Sequence, residues 1–161
     1  MNKYMNLIGQ KAKRAIKNRV GSKKKNKILK NYLNLIEKEK NFILKENQKD
    51  VKIAINKKLK DNMIQRLILD HKKLNSIKLS IKNIIKLKDP VNKTLKKWKR
   101  PNHLLIKKVS IPIGIIGVIY ESRPNVTSDV TSLCFKSGNA VILKGGSEAF
   151  NTNKILVKLF K

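Results

Sequence analysis

Two apolar runs, Ile113 to Tyr120 and Ala140 to Leu143, constrain the fold of this chain more than any other feature. The first is almost wholly apolar and β-branched, without alternating polar residues. The second is short and equally apolar. Runs of this kind suit strands covered on both faces, as in a parallel sheet. Between them, Thr127 or Ser128 can cap the start of a helix whose first turn carries Asp129, and Gly138 can end it. The stretch reads as a βαβ unit.

The second run leads into Lys144, Gly145, Gly146, Ser147 and Glu148, followed by a helical pattern through Ile155, Leu156 and Leu159. Glycines let a backbone approach a ligand closely, and Ser147 and Glu148 stand where free helix N–H groups point outward. Such a turn suits a phosphate or a ribose, with Lys144 supplying charge. It is not the GxGxxG fingerprint of dinucleotide-binding folds, and a tight strand-to-helix turn with no ligand fits the spacing equally well.

At 161 residues the chain is long enough for one domain with its own core. It carries 39 basic against 10 acidic side chains, a formal charge of +29. That balance points toward nucleic acid or an anionic surface. Most of the excess lies before residue 111, nearly all of it is lysine, and it falls largely on the polar faces of amphipathic helices. Lysine, isoleucine and asparagine share A/T-rich codons, so base composition accounts for this surface without a selected partner. Non-specific nucleic-acid binding at low salt is expected all the same. The single cysteine, Cys134, and the lack of a signal-peptide pattern imply no oxidising compartment. With no apolar run long enough to span a bilayer, the sequence reads as cytoplasmic, with no membrane partner.

Taken in order, residues 3–19 show an amphipathic helix with Met5, Ile8, Ala12, Ala15 and Ile16 on one face. A transit peptide or a membrane-surface helix shares that pattern, but the segment lacks serine and reads as a first helix packed on the domain. Gly21-Ser22 marks a break. A long helix is then expected from about Lys23 to Asn47, with Ile28, Leu29, Tyr32, Leu33 and Ile36 on one face and Phe42 and Ile43 beyond. Another follows through Leu74, Ile77, Ile81, Ile84 and Ile85 and stops before Asp89-Pro90. Residues 93–103 read as a basic connector, and Leu104 to Val109 as a strand feeding the central one. His71 and His103 lie far apart and suggest no metal site.

The string VSIPIGIIGVIYESRPNVTSDVTSLCFKSGNAVILKGGSEA, from Val109 to Ala149, resembles the cofactor-domain core of the gamma-glutamyl phosphate reductase (glutamate-5-semialdehyde dehydrogenase) family, a branch of the aldehyde dehydrogenase superfamily. LIGQKAKRA near the start, ENQKDVKIA, NMIQRLILD and the segment from Trp98 to Asn102 are similar to further elements of that family, with Gln65 at the family's aspartate position. The fold implied is α/β: N-terminal helices over residues 1–92, the connector 93–103, and an incomplete, Rossmann-like parallel sheet over residues 104–161.

The activity implied is NADPH-dependent reduction of L-glutamyl 5-phosphate to L-glutamate 5-semialdehyde in proline biosynthesis. By the same resemblance, Asn125 matches the asparagine whose side-chain amide serves an oxyanion hole, at the carboxyl end of the long strand where open α/β sheets place ligands. A turn-forming asparagine beside Pro124 is the alternative for that residue. Arg123 is a candidate for holding a substrate carboxylate or phosphate, with a structural ion pair as its alternative. Lys144, Gly145, Gly146, Ser147 and Glu148 fall on the cofactor-ribose segment, although the family's usual Lys-Pro-x-Glu is here Lys-Gly-Gly-Ser-Glu. Cys134 shares a helix face with Val130 and Leu133 and reads as a small buried hydrophobe, while the family's nucleophilic cysteine lies beyond Lys161. The sequence therefore reads as a truncated or split form, inactive alone and completed by a second chain that supplies the catalytic domain, with homo-oligomerisation once complete. A non-enzymatic basic nucleic-acid-binding protein, or an inactive gene remnant, is the competing reading.

Overall fold

A computed structural model describes residues 3–160. Five helices come first: α1 (Lys3–Lys17), α2 (Ser22–Lys38), α3 (Lys40–Asn56), α4 (Asp61–Leu67) and α5 (His71–Lys86). Strands β1 (Thr94–Lys99), β2 (Leu105–Val109) and β3 (Ile115–Ile119) follow, then α6 (Pro124–Lys136), β4 (Ala140–Lys144), a single 3-10 turn (Ser147–Ala149) and α7 (Phe150–Phe160).

The long helix expected from Lys23 to Asn47 is two helices, with Glu39 between them. Neither glycine nor proline marks this break, and the apolar stripe runs through it, because Ile36 and Ile43 enter the same core. That core joins Tyr32 and Ile36 of α2, Ile43 of α3, Leu74, Ile77 and Ile81 of α5, and Ile155 and Leu156 of α7. Phe160 closes it edge-on, with ring centroids 4.9 Å from Tyr32 and 5.4 Å from Phe135. Removing these side chains from water supplies most of the driving force that holds the helices together.

Two buried polar residues of α3 fix the position of α7. Asn47 donates to the Leu67 carbonyl at 2.9 Å and to Thr152 Oγ1 at 3.1 Å, and accepts from Leu69 N at 2.7 Å. Asp50 accepts from the backbone of Asn151 at 3.1 Å and of Thr152 at 2.8 Å, at the start of α7. A carboxylate there satisfies N–H groups that the helix leaves open. Helix α5 starts on Asp70, whose side chain accepts from Lys73 N at 2.6 Å, and stops at Lys86, short of Asp89-Pro90. Buried Lys25 joins α2 to this exit, pairing with Asp89 at 2.9 Å and donating to the Lys136 carbonyl at 3.1 Å.

The basic connector contains a strand. Thr94–Lys99 pairs antiparallel with Leu105–Val109, so that Lys96 faces Lys108 and Lys97 faces Lys107. Residues 105–109 are a strand that leads into β3, as expected, but they pair with β1 in a hairpin that forms a sheet of its own. His103 sits in its turn with φ of 63°. The backbone ladder carries this pairing, and every β1 residue stays exposed, which is why no apolar pattern announces it.

Strands β3 and β4 pair in parallel, Ile115 to Ala140 through Ile119 to Lys144, with α6 as the crossover. The expected βαβ unit is present. Helix α6 starts earlier than expected: Pro124 opens it after Arg123 at the cap position, so Thr127 and Ser128 lie within the helix and Asp129 one turn further in. Proline at the first helical position costs no hydrogen bond and presets the backbone, which outweighs the capping preference of Thr127 and Ser128. Beyond its C-terminus, Gly138 takes φ of 76°, the left-handed conformation that favours glycine. Helix α1 packs on β3 and β4, and α6 on β4. The other side of β3 is open, with Ile119 82% exposed, so β3 is covered on one face rather than two among the described residues. No helix of the described residues is long and apolar enough to cross a membrane.

Candidate functional site

Parallel pairing sends β3 and β4 out of the sheet at the same end, and the two exits meet there. Tyr120 N donates to the Lys144 carbonyl at 3.1 Å, carrying the ladder one residue beyond β3. Ser122 Oγ then donates to Glu148 Oε2 at 2.6 Å, and Ser147 Oγ to Glu148 Oε1 at 3.1 Å. The Ser122 bond is the main reason why the Glu148 carboxyl is held below the usual carboxylate range, against a smaller opposing effect of burial. Glu148 is thus ionised and directed toward the end of β3.

The two glycines of this turn serve that convergence. A Cβ at Gly146 would stand 2.6 Å from Ser122 Oγ and 2.5 Å from Glu148 Oε2. A Cβ at Gly145 would stand 2.5 Å from Asn153 Nδ2 and 3.0 Å from the Tyr120 hydroxyl. At each glycine a Cβ would come within 2.6 Å of a polar side-chain atom, so the close approach that these glycines permit is by the chain's own polar groups. Behind them, Thr127 Oγ1 donates to Asn153 Oδ1 at 2.6 Å and lies 2.6 Å from the Tyr120 hydroxyl. Thr127 has one proton, so Tyr120 is the donor to it. Burial raises the Tyr120 phenol above its usual range, which keeps that donor protonated.

Lys144 ends β4 exposed, and its ammonium has no hydrogen-bond or ion-pair partner among the described residues. Ser147 is exposed beside it. A free ammonium, an exposed hydroxyl and a carboxylate within one turn can donate to an anionic oxygen and accept from a hydroxyl. Asn125 lies in the first turn of α6 rather than in a loop, because the helix begins at Pro124. It is exposed, and its amide is unpartnered among the described residues. Arg123 caps the same helix, is exposed, and makes no ion pair among the described residues.

Arg123 also lines an open depression of about 370 Å³ with Arg66, Tyr120, Glu121 and Val126. Cys134 is apart from all of this, buried on α6, with burial pushing its thiol above the usual range. Such a thiol is a poor nucleophile. The residues that the sequence reading missed are Arg66, Tyr120, Glu121, Ser122, Thr127 and Asn153. The polar string Tyr-Glu-Ser directly after an apolar strand signalled three of them, since residues leaving the carboxyl end of a parallel strand face the ligand side of such sheets. Arg66 and Asn153 carry no local signal.

No protein-family profile matches the chain. Curated relatives do match. The gamma-glutamyl phosphate reductase of Nitratiruptor sp. is 50% identical over 140 residues, covering 87% of this chain and 34% of that protein. The one from Clostridium botulinum (Eklund 17B) is 44% identical over 159 residues, or 97% of this chain and 38% of the relative. Among solved structures, the gamma-glutamyl phosphate reductase of Thermotoga maritima superposes with a TM-score of 0.90 at 37% identity over 94% of this chain and 37% of that one. The enzyme from Saccharomyces cerevisiae gives 0.86 at 32% identity. The chain thus spans a little over a third of the length of the relatives it matches. In sequence and in fold, it is related along nearly its whole length to the N-terminal part of the gamma-glutamyl phosphate reductases.

Proposed function

We propose that the chain contributes the nucleotide-binding and oxyanion elements of an NADPH-dependent reductase that converts L-glutamyl 5-phosphate to L-glutamate 5-semialdehyde in proline biosynthesis, in the cytoplasm. The observation that supports this reading is that β3 and β4, being parallel, leave the sheet at one end, and that Lys144 and Asn125 are exposed beyond it with no side-chain partner among the described residues. The relatives' names support the reduction of gamma-glutamyl phosphate, and the nucleotide and product are this reading's own.

In this reading Lys144 and Ser147 hold the phosphate and hydroxyl groups on the adenosine side of the nucleotide. Ionised Glu148 is the acceptor for a ribose hydroxyl. The nucleotide, when bound, supplies the hydride. The Asn125 amide donates to the carbonyl oxygen as negative charge develops on it, which lowers the barrier because a fixed donor needs no reorganisation. Arg123 neutralises an anionic end of the substrate. The cysteine nucleophile that such a reduction uses is not Cys134; it lies outside these 161 residues, whether on the same chain or a second one.

The test is a fluorescence titration of the chain with NADPH. Wild type binds saturably, and Lys144→Ala weakens binding about tenfold, in line with the loss of one charge-assisted hydrogen bond. Equal affinity of the two proteins would remove Lys144 from the site.

A further inference from the structure

The depression at the exit of β3 holds more charge than the reaction above requires. Arg66 reaches it from the last turn of α4, Glu121 from the link between β3 and α6, and Arg123 from the cap of α6. Arg66 Nη1 donates to Glu121 Oε2 at 3.1 Å, with the two side chains 47% and 76% exposed. An ion pair so open to water is weak and exchanges readily. Arg123 lacks an ionic partner among the described residues, so the depression carries two guanidinium groups against one carboxylate. Tyr120 and Val126 complete its wall, and Asn125 adjoins Val126 in the first turn of α6.

We infer that Arg66 and Arg123 form a clamp for an oxyanion of the substrate, and that Glu121 is a resident counter-anion displaced when the substrate enters. The identity of the ligand rests on the reductase reading above; the anion binding itself does not. A guanidinium presents a planar fork that matches carboxylate and phosphate oxygens, so two of them arranged around one cavity select an oxyanion over a neutral group. Glu121 keeps Arg66 oriented in the empty site and is the more exposed of the two, so it can swing into water without losing a buried contact. It also sets selectivity: a singly charged ion gains little by exchanging with a carboxylate already present, whereas a dianionic phosphoryl group gains from both guanidiniums.

The test titrates inorganic phosphate, and separately acetate, into isotopically labelled chain at constant ionic strength, because the net charge of +29 attracts any anion non-specifically. Saturable resonance shifts are expected at Arg66, Glu121 and Arg123. Arg66→Gln should weaken phosphate binding roughly tenfold. Glu121→Gln should tighten it several-fold, an outcome that a purely structural Arg66–Glu121 pair would not give. Lys82→Gln, an exposed lysine on α5, should change nothing.

Preference for phosphate over acetate assigns the clamp to the phosphoryl end of the substrate, whereas comparable binding of both overturns it, because Glu121 would then set no selectivity. Shifts spread evenly over the lysines, or Arg66→Gln and Glu121→Gln proteins that fold and bind phosphate as wild type does, overturn the inference. Loss of NADPH binding with phosphate binding intact would instead sink the reductase reading and leave the clamp standing.

Discussion

Replacing Asp50 with alanine should cost this fold about 3–5 kcal/mol, a large fraction of the roughly 5–15 kcal/mol typical of a domain. Its carboxylate is 1% exposed and accepts four hydrogen bonds, from Asn151 N, Asn151 Nδ2, Thr152 N and Thr152 Oγ1, at 2.6–3.1 Å. Two come from the first turn of α7, whose N–H groups have no other acceptor within the helix. A hydrogen bond to a charged group contributes about 1.5–3 kcal/mol, and loss of a helix cap about 0.5–2 kcal/mol. These contributions share one side chain and do not sum, which brings the total to the range above. Asp50→Asn keeps one acceptor oxygen and should lose only about 1–2 kcal/mol.

Urea denaturation followed by far-ultraviolet circular dichroism measures both. Because α7 begins directly after the Ser147–Ala149 turn, NADPH affinity should fall together with stability. A loss below about 1 kcal/mol for Asp50→Ala, with the denaturant slope unchanged, would refute the claim that this carboxylate anchors α7.

Two further perturbations probe the core and the turn. Burial pushes the Tyr32 phenol up to about 12, against the lowering effect of its 2.9 Å hydrogen bond with Ser128. A raised folded-state value means that the stabilisation is full below the unfolded value of about 10 and is lost as pH rises through about 12. Roughly 2–3 kcal/mol is at stake in that window. Tyr32→Phe should remove this alkaline loss relative to wild type, and parallel stability profiles for the two proteins would contradict it. At the turn, Gly146→Ala places a Cβ against Ser122 Oγ and Glu148 Oε2, so the 2.6 Å Ser122–Glu148 bond must open. It should destabilise the chain by about 1–3 kcal/mol and weaken NADPH binding, and unchanged values for both would show that the turn has room to spare.

What the sequence disclosed followed from how strongly each element depends on side-chain pattern. The βαβ unit was legible because apolar, β-branched runs such as Ile115–Ile119 have few alternatives to a strand, although β3 is covered on one face rather than two among the described residues. The stripes on α2 and α5 were legible because Leu29, Tyr32, Ile36, Leu74, Ile77 and Ile81 are all buried. The break at Glu39 was not, since the stripe passes through it without interruption. The β1–β2 hairpin was hidden for the opposite reason: its lysines stay in water, and its order comes from backbone pairing that side chains do not encode. In the candidate site, Lys144, Glu148 and Asn125 stand out in the sequence, but the neighbours of the two glycines do not. The glycines admit Ser122, Tyr120 and Asn153, contacts between parts of the chain that only folding brings together. Arg66 was invisible for the same reason, lying 55 positions from Glu121.

The most direct measurement grafts this chain in place of the matching segment of the Thermotoga maritima gamma-glutamyl phosphate reductase and follows NADPH oxidation with L-glutamyl 5-phosphate. The chimaera should turn over. Asn125→Ala within it should lower kcat by about 10²–10³, the usual cost of one oxyanion donor, while leaving the KM for NADPH unchanged. A folded chimaera whose turnover is indifferent to Asn125→Ala would contradict the assignment of this strand exit to the reacting end of the substrate.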